Sequence, residues 1–346
     1  MSSLFTESLK NYKDKCDTLF ENGSIKEFLF ELDTHKKMPE YIDALIRHSR
    51  GGKRIRAYLV YLGYCLKAGF ENDDKILFPS LSFELFQTGI LAHDDIIDNS
   101  DYRRFKPSMH KDLGNGHDGV SKSICVGDLG IIAAIEILQK GDFNDSAKLR
   151  AITHQNKVFS STIAGELKDI EFSYADRANE SDILDMYKLK TAQYTVSGPL
   201  VLGAILASAD EEFIENLYKF GNDVGICFQI RDDILGIYGS EDEVGKSIVS
   251  DMCEGKKTVL VSHFDRTADE GTKEKFYAVY GKEASGETEL ALVRQLLREA
   301  GSYNYALEMC ESYVKSATEV LEKMDLSDYS RELLTGLLEY MTSRKN

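Results

Sequence analysis

Residues 81–98 read LSFELFQTGILAHDDIID, and this stretch decides how the rest of the sequence is interpreted. The apolar side chains in it that recur at helical spacing are Leu81, Leu85, Phe86, Ile90 and Leu91. A period of three to four residues predicts an amphipathic helix. The same period recurs throughout the chain, whereas alternating runs of β-branched residues are nearly absent. We therefore expect an all-α fold, a single large bundle of helices.

The length and charge of the chain restrict its class. Its 346 residues are 42% hydrophobic and include only four prolines, which suits long helices around a sizeable core. Lys and Arg number 42 against 58 Asp and Glu, so the net charge is −16. A field this negative disfavours nucleic acid as a partner. No linker-like segment divides the chain, and we expect one domain, residues 1–346.

Cysteine usage and apolar windows predict where the protein works. The six cysteines include no Cys-x-x-Cys pair, which favours buried free thiols in a reducing compartment. Residues 1–15 are mostly polar and charged, unlike a secretory signal. The most apolar windows, 57–66 and 196–209, are shorter than the roughly 18 to 20 residues that a membrane span needs. We expect a cytoplasmic protein without a membrane span.

Three aspartates close the opening stretch: Asp94, Asp95 and Asp98. Asp94 and Asp98 lie four residues apart and share a helix face. Carboxylates held this close repel each other, and a divalent cation with oxygen ligands, such as Mg²⁺, would relieve that repulsion. A solvated acidic helix end would show the same residues, so this motif does not decide alone. A second pair, Asp232-Asp233, also follows an apolar stretch and favours the metal interpretation.

Positive charges cluster in spite of the acidic composition. The clusters are Lys53, Arg54 and Arg56; Arg103, Arg104 and Lys106; Lys188 and Lys190; Lys246; and Lys256 and Lys257. Taken singly, each is ordinary solvated surface. Taken together, near two aspartate pairs and beside glycines that allow close backbone approach, they indicate a polyanion site. Magnesium with Arg and Lys predicts a phosphate or a diphosphate, and the apolar helix before Asp94 would suit a diphosphate with a hydrocarbon tail.

The sequence resembles the trans-isoprenyl diphosphate synthases of the polyprenyl synthetase family from residue 51 to 258 at least. The matching motifs, in the family's order, are Gly-Gly-Lys-Arg-Ile-Arg at 51–56, Gln87 before Asp94, Arg103-Arg104-Phe105-Lys106-Pro107, Gly127-Asp128, Lys190-Thr191, Phe228-Gln229 before Asp232-Asp233, and Gly245-Lys246 through Asp251 to Lys256-Lys257-Thr258. As a set these motifs are highly specific. The resemblance implies an isoprenoid synthase bundle with a central apolar cavity, and a homodimer.

The resemblance also implies a role for each matched residue. Three magnesium ions, bridging to the diphosphate of an allylic substrate, would be bound by Asp94, Asp98 and Asp232. The same diphosphate would be held by Arg103, Lys190, Lys246 and Lys256. Isopentenyl diphosphate would be held by Lys53, Arg56, Gln87 and Arg104. The substrate-binding set also includes Thr191 and Gln229, and catalysis is expected from Asp94, Asp95, Asp98, Lys190, Asp232 and Lys246.

Two positions depart from the family's pattern. Glu166 stands where many members have glutamine, which removes a hydrogen-bond donor. Gly236 stands where many members have the third aspartate of the second motif. A bacterial branch of the family shares this Asp-Asp-x-Leu-Gly pattern, so the glycine is not interpreted as a lesion. Asp232 is then expected to be the main metal ligand, with Asp233 behind it.

The implied reaction is head-to-tail chain elongation, in which an allylic diphosphate ionises and isopentenyl diphosphate attacks the cation. Product length is then set by whatever blocks the growing tail along the helix that ends at Asp94, where one turn rises about 5.4 Å, close to one isoprene unit. Gly89 and Ile90 lie one turn before Asp94, and no aromatic pair is present there. Phe86, in the preceding turn, would block further growth of the tail, and we call such a residue the chain-length floor. Ordinary core packing is the other interpretation of Phe86. We expect geranylgeranyl diphosphate as the product.

Alternatives remain at this point. A farnesyl or a longer-chain polyprenyl diphosphate synthase would use the same chemistry with a different floor. A class I terpene cyclase shares the first motif, but Ile226 and Ile230 stand where its second metal motif requires Ser or Thr and Glu. A non-catalytic partner subunit of a heteromeric synthase would be expected to lose ligands, whereas here they are present apart from the changes at 166 and 236.

Overall fold

A computed structural model describes residues 3–71, 74–103, 106–240, 248–282 and 284–342. Its elements are helical except for one short hairpin, within those ranges, so the all-α prediction is confirmed. The chain divides into two compact units. We call them the N-terminal unit, residues 6–156 and 199–214, and the C-terminal unit, the described residues among 1–5, 157–198 and 215–346. The single domain and its central cavity stay predictions.

The first half of the chain supplies the elements that carry the first aspartate motif. Its helices are α1 Ser3–Glu21, α2 Ser24–Leu32, α3 Pro39–Ser49, α4 Ile55–Ala68, α5 Asp74–Ser80, α6 Ser82–Ile97, α7 Met109–Asp112 and α8 Gly116–Glu136, followed by a 3-10 turn at Ile137–Lys140. Strands β1 Tyr102–Arg103 and β2 Lys106–Pro107 pair antiparallel after α6. The hairpin and α7 form in the segment 99–120, which the sequence predicts to be irregular.

The second half of the chain supplies the elements around the second motif. They are α9 Asp145–Tyr174, α10 Glu180–Met186, a π-helix Tyr187–Ser197, α11 Gly198–Leu206, α12 Glu211–Tyr238, α13 Ser250–Glu254, α14 Val259–Thr267, α15 Glu270–Tyr277, α16 Glu287–Glu299, α17 Ser302–Lys323 and α18 Asp328–Thr342. A core of aliphatic and aromatic side chains buries the inner faces of α12, α14, α16 and α17. An apolar core of this kind is what the helical period predicts.

Glycines let the helices that carry the motifs pack closely. In the N-terminal unit, a Cβ at Gly89 of α6 would lie 2.6 Å from the carbonyl oxygen of Gly127 of α8. In the C-terminal unit, a Cβ at Gly225 of α12 would lie 2.5 Å from Cα of Ala192 in the π-helix. No side chain fits at these distances, so glycine is required at both contacts. The contacts fix the two aspartate-bearing helices on their neighbours.

Two sequence expectations about location and thiols are tested in part. In the part of the chain that the structure describes, every helix is too short or too polar to cross a lipid bilayer. All six cysteines lie in the described ranges and are free thiols. Four are buried, as predicted, but Cys125 is exposed on α8 and Cys253 is half-buried. The prediction of buried thiols is therefore wrong for Cys125, because its position on α8 faces outward.

Candidate active site

The first motif lies at the C-terminal end of α6, and its three carboxylates differ in burial. Asp98 is exposed, Asp94 is half-buried, and Asp95 is buried. Arg103 joins two of them, since its Nε donates to Asp95 Oδ1 at 2.7 Å and its Nη2 donates to Asp94 Oδ2 at 2.8 Å. Burial raises the pKa of Asp95, and the guanidinium of Arg103 limits the rise. A fixed cation therefore lies against Asp94, one of the predicted metal ligands, and against Asp95.

The β1–β2 hairpin positions Arg103. Its register pairs Arg103 with Lys106, so both cations stand at the same level of the hairpin. A cavity of about 290 Å³ lies beside it and is lined by Arg50, Thr88, Asp95, Arg103 and Lys106 among others. Arg104, another predicted substrate residue, lies outside the described residues. The hairpin was missed in the sequence because a two-residue strand is too short to show alternation.

The Gly-Gly-Lys-Arg-Ile-Arg segment brings two predicted substrate residues together. Arg56 donates from Nη1 to Gln87 Oε1 at 2.9 Å, and Lys53 is exposed. Gly51 has φ +84°, a backbone conformation that favours glycine. The segment therefore presents Lys53 and Arg56 on a tight turn at the start of α4, beside the middle of α6. Their assignment to isopentenyl diphosphate stays a prediction.

Arg54, in the same basic cluster, is not available to a polyanion. Its side chain is buried, with the residue 2% exposed, and it donates to Asp17 Oδ1 at 2.9 Å, to the Ser49 carbonyl oxygen at 2.7 Å and to Glu84 Oε2 at 3.3 Å. The sequence interpretation of this cluster as polyanion-binding is thus wrong for Arg54. Its partners were missed, although Glu84, a carboxylate within an apolar helical run, is the kind of residue that requires a buried cation.

The second motif, on α12, shows the same alternation as the first. Asp232 is exposed, whereas Asp233 is buried and accepts hydrogen bonds from the Tyr187 hydroxyl and, at 2.9 Å, from Gln229 Nε2. Burial raises the pKa of Asp233 to about 7, more than these two donors lower it. The arrangement suits the expectation that Asp232 is the ligand and that Asp233 lies behind it.

The π-helix carries the predicted Lys190-Thr191 pair and is tied to α12. Thr191 Oγ1 donates to Gln229 Oε1 at 2.7 Å, and Gln229 continues to Asp233. Lys190 Nζ lies 2.6 Å from Asp169 and 2.8 Å from Glu166. These two carboxylates raise the pKa of Lys190 against the opposing effect of burial. Glu166, which departs from the family's pattern, thus forms an ion pair with Lys190. A glutamine at this position would be neutral and could not form one.

The last predicted cation of the C-terminal unit is Lys256. Its Nζ lies 2.9 Å from Asp251 and 3.5 Å from Glu254. Lys246 lies outside the described residues. Lys190 is therefore held by two carboxylates, whereas Lys256 is hydrogen-bonded to Asp251 and makes a longer, exposed contact with Glu254. A lysine fixed by a carboxylate needs little reorganisation to meet an anion.

The donors of the aspartate motifs fit magnesium. Among the described residues no three His, Cys, Asp or Glu side chains converge as a ready-made metal cage. Mg²⁺ does not need one, since it is usually held by one or two carboxylates and completes its shell with water and phosphate oxygens. Asp94 with Asp98, one helix turn apart, and the exposed Asp232 supply such carboxylates. The set is all-oxygen, and oxygen is what a hard cation prefers.

The predicted chain-length residues occupy different surroundings. Phe86 is fully buried, and Ile90 is half-buried. Gly89 faces α8, because a Cβ there would lie 2.6 Å from the Gly127 carbonyl oxygen and 3.2 Å from the Ile131 side chain. Helix packing thus gives Gly89 a structural reason to be glycine. Replacing Gly89 by phenylalanine would push α6 and α8 apart, so that substitution does not measure tail length alone.

Comparison with known proteins places the chain in a family. The family model for polyprenyl synthetase matches residues 37–297, and the chain belongs to that family. It is accordingly an enzyme of the prenyltransferase class, an isoprenyl diphosphate synthase.

Individual relatives agree with this class. A geranylgeranyl pyrophosphate synthase of Geoglobus acetivorans is 31% identical over 325 residues, 93% of this chain and 95% of the relative. A short chain isoprenyl diphosphate synthase of Methanocaldococcus jannaschii is 32% identical over 86% of this chain and 81% of the relative. The crystal structure of a geranylgeranyl pyrophosphate synthase from Corynebacterium glutamicum, complexed with isoprenyl diphosphate and magnesium, superposes with a TM-score of 0.86 at 27% identity and 99% coverage of both chains.

Proposed function

We propose that the chain condenses isopentenyl diphosphate with allylic diphosphates and makes geranylgeranyl diphosphate. The observation that carries the proposal is the contact of Arg103 with both Asp94 and Asp95, which fixes a cation suited to a diphosphate beside Asp94, a proposed metal ligand. A guanidinium fork of this kind matches phosphate oxygens as well as carboxylates. The similarity to geranylgeranyl pyrophosphate synthases supports the choice of product.

Magnesium is the cofactor that the donor set fits. Asp94, Asp98 and Asp232 would hold three ions, which would supply positive charge to the departing diphosphate. Arg103 and Lys190, with Lys246 and Lys256, bind the same diphosphate directly. Because Arg103, Lys190 and Lys256 are already held by carboxylates, they are oriented before the substrate arrives.

The chemistry follows from those cations. The allylic carbon–oxygen bond breaks, and its electron pair leaves with the diphosphate, whose growing negative charge the fixed cations stabilise. The double bond of isopentenyl diphosphate, held by Lys53, Arg56, Gln87 and Arg104, attacks the allylic cation. A proton then leaves the new chain for the released diphosphate, so no protein base is needed. Buried apolar side chains such as Phe86 keep water from the cation.

The chain-length floor is proposed at Phe86, one turn beyond Ile90. Phe86→Leu and Phe86→Ala should lengthen the product by one isoprene unit or more, and the leucine variant guards against simple loss of folding. Incubating the pure protein with Mg²⁺, isopentenyl diphosphate and dimethylallyl, geranyl or farnesyl diphosphate, with products read by mass spectrometry, tests reaction and floor together. A geranylgeranyl product supports both. A product of another length moves the floor, and no condensation with any primer would favour a non-catalytic partner subunit.

A homodimer is proposed from exposed apolar side chains. One face of α9 presents Leu149, Ile163, Leu167 and Tyr174, which are 66%, 54%, 56% and 89% exposed. Ile124 and Ile132 are exposed on α8. A stripe of this kind marks a protein interface, and a second copy would cover it with the same stripe. Sedimentation of the unmodified protein and of the Leu167→Lys variant tests the dimer, because the substitution should dissociate it into monomers.

We also propose that the protein acts in the cytoplasm, and its six free thiols support this proposal.

A further inference from the structure

Gly236 leaves the second aspartate motif without its third carboxylate, and the structure shows what fills the space. A Cβ at Gly236 would lie 2.0 Å from Oδ2 of Asp251 and 3.0 Å from its Cγ. Side-chain carbons do not approach oxygen atoms that closely, so even alanine at 236 would displace the carboxylate. The absence of a side chain at Gly236 thus leaves room for the carboxylate of Asp251, which lies on α13, fifteen positions further along the chain.

Asp251 is fixed in this position from several sides. It is 9% exposed, it lies in the first turn of α13, and its backbone carbonyl accepts from the Lys256 N–H at 3.2 Å. The Tyr280 hydroxyl donates to the Lys256 carbonyl oxygen at 2.7 Å, which anchors the turn that follows. These contacts fix the backbone of Asp251 and of the turn that follows it.

The carboxylate of Asp251 in turn holds a cation. Lys256 Nζ donates to Asp251 Oδ1 at 2.9 Å, while Oδ2 is the oxygen that points at Gly236. Asp233 is close enough to contribute to the electrostatics of both Asp251 and Lys256. One carboxylate thus fills the place of the missing aspartate with one oxygen and holds Lys256 with the other.

We propose that Asp251 is a positioning residue of the diphosphate site: seated in the space that Gly236 leaves on α12, it orients the ammonium group of Lys256 for the substrate diphosphate. The inference rests on the proposed function, in which Lys256 binds the allylic diphosphate. It explains why a glycine replaces aspartate at 236 without loss of the site. The second motif then consists of Asp232 and Asp233 on α12 together with Asp251 from α13.

The first test compares two carboxylates that contact the same lysine. Gly236→Ala and Asp251→Asn should each weaken the binding of inorganic diphosphate with Mg²⁺, measured by calorimetry, by about tenfold or more. In both variants the KM for the allylic diphosphate should also rise, while the KM for isopentenyl diphosphate changes little. Glu254→Gln is the matched control, because Glu254 lies 3.5 Å from Lys256 and more than half exposed. It should change both quantities by less than about twofold.

The second test exchanges the two positions. Gly236→Asp alone should reduce diphosphate binding at least as much as Gly236→Ala, because two carboxylates would then compete for one space. In Gly236→Asp with Asp251→Ala, the two Cβ atoms would lie 3.6 Å apart, an ordinary contact. The double variant should therefore bind diphosphate at least about fivefold more tightly than Gly236→Asp.

The outcomes separate the two claims. If the unmodified protein condenses isopentenyl diphosphate but Gly236→Ala and Asp251→Asn bind diphosphate normally, the inference is wrong and the proposed function stands. If Glu254→Gln loses as much affinity as Asp251→Asn, the effect is one of general charge and the inference is again wrong. If the unmodified protein neither condenses nor binds diphosphate, the proposed function itself has failed.

Discussion

The two aspartate motifs repeat one arrangement and balance its charge differently. In each, the first aspartate of the pair is the more exposed and the second is buried: Asp94 and Asp95 on α6, Asp232 and Asp233 on α12. Asp95 lies against the guanidinium of Arg103, whereas Asp233 accepts hydrogen bonds from a phenol and an amide, which carry no charge. Burial therefore raises the pKa of Asp233 to about 7, and the rise at Asp95 is restrained by Arg103. At Asp95 the opposing group is a guanidinium with a full positive charge, whereas at Asp233 the opposing groups are neutral hydrogen-bond donors.

The largest expected effect concerns Asp94 and Asp232, the more exposed aspartate of each pair. Asp94→Ala and Asp232→Ala should each lower kcat by about 100- to 1000-fold, because each removes a proposed ligand of the metal ions that would stabilise the leaving group. Steady-state kinetics at saturating Mg²⁺ measures it. Asp118→Asn, which breaks an exposed contact with Lys122 on α8, serves as the control and should leave kcat unchanged. Equal losses in the control would show that overall charge, and not either motif, is responsible.

The next prediction concerns what supports the first motif. Arg54→Ala leaves Glu84 of α6 buried without its cation and should lower the free energy of unfolding by about 3 to 5 kcal/mol. Arg47→Ala breaks an exposed pair with Asp112 and should cost about 1 kcal/mol or less. Urea unfolding of the two variants makes the comparison. Similar costs would mean that the Asp17, Arg54 and Glu84 contacts do not stabilise this region more than its surface does.

The pH dependence of stability tests the second motif. An unfolded aspartate has a pKa near 3.9, whereas that of Asp233 is raised to about 7 in the folded protein. Between these values the folded state binds the additional proton, so the free energy of unfolding should fall as pH rises from about 4 to 7, by an amount on the order of 4 kcal/mol. Asp233→Asn should flatten this fall in metal-free protein. Denaturation curves with the same slope against pH in both proteins would contradict it.

The smallest expected effect concerns Glu166. Glu166→Gln leaves Lys190 with Asp169 as its charged partner and should lower the KM for the allylic diphosphate by about two- to fivefold, because one competing charge is removed. Glu171→Gln, an exposed residue of the same helix α9, is the matched control. An unchanged KM in Glu166→Gln would show that the second carboxylate does not compete with the substrate.

Prediction from the sequence succeeded where the signal lies in neighbouring residues. The period around Leu85 predicts α6, and the four-residue spacing of Asp94 and Asp98 places both carboxylates on one helix end. Both inferences depend only on helix geometry. The contacts of Arg54 with Asp17, Ser49 and Glu84 join three separate segments, and no local pattern indicates which side of the turn at Arg54 is buried.

The sequence by itself determined the helical class, the two aspartate pairs and the family, because periodicity and motif spacing are properties of residues close together in the chain. Only the tertiary structure decided that Arg54 is buried, that Gly89 is a packing contact and that Asp251 occupies the space beside Gly236. The physical reason is the same in each case. Burial and close approach depend on which distant segments pack together. A single added carbon atom at such a contact, such as a Cβ at Gly89 or Gly236, would displace the neighbouring atoms.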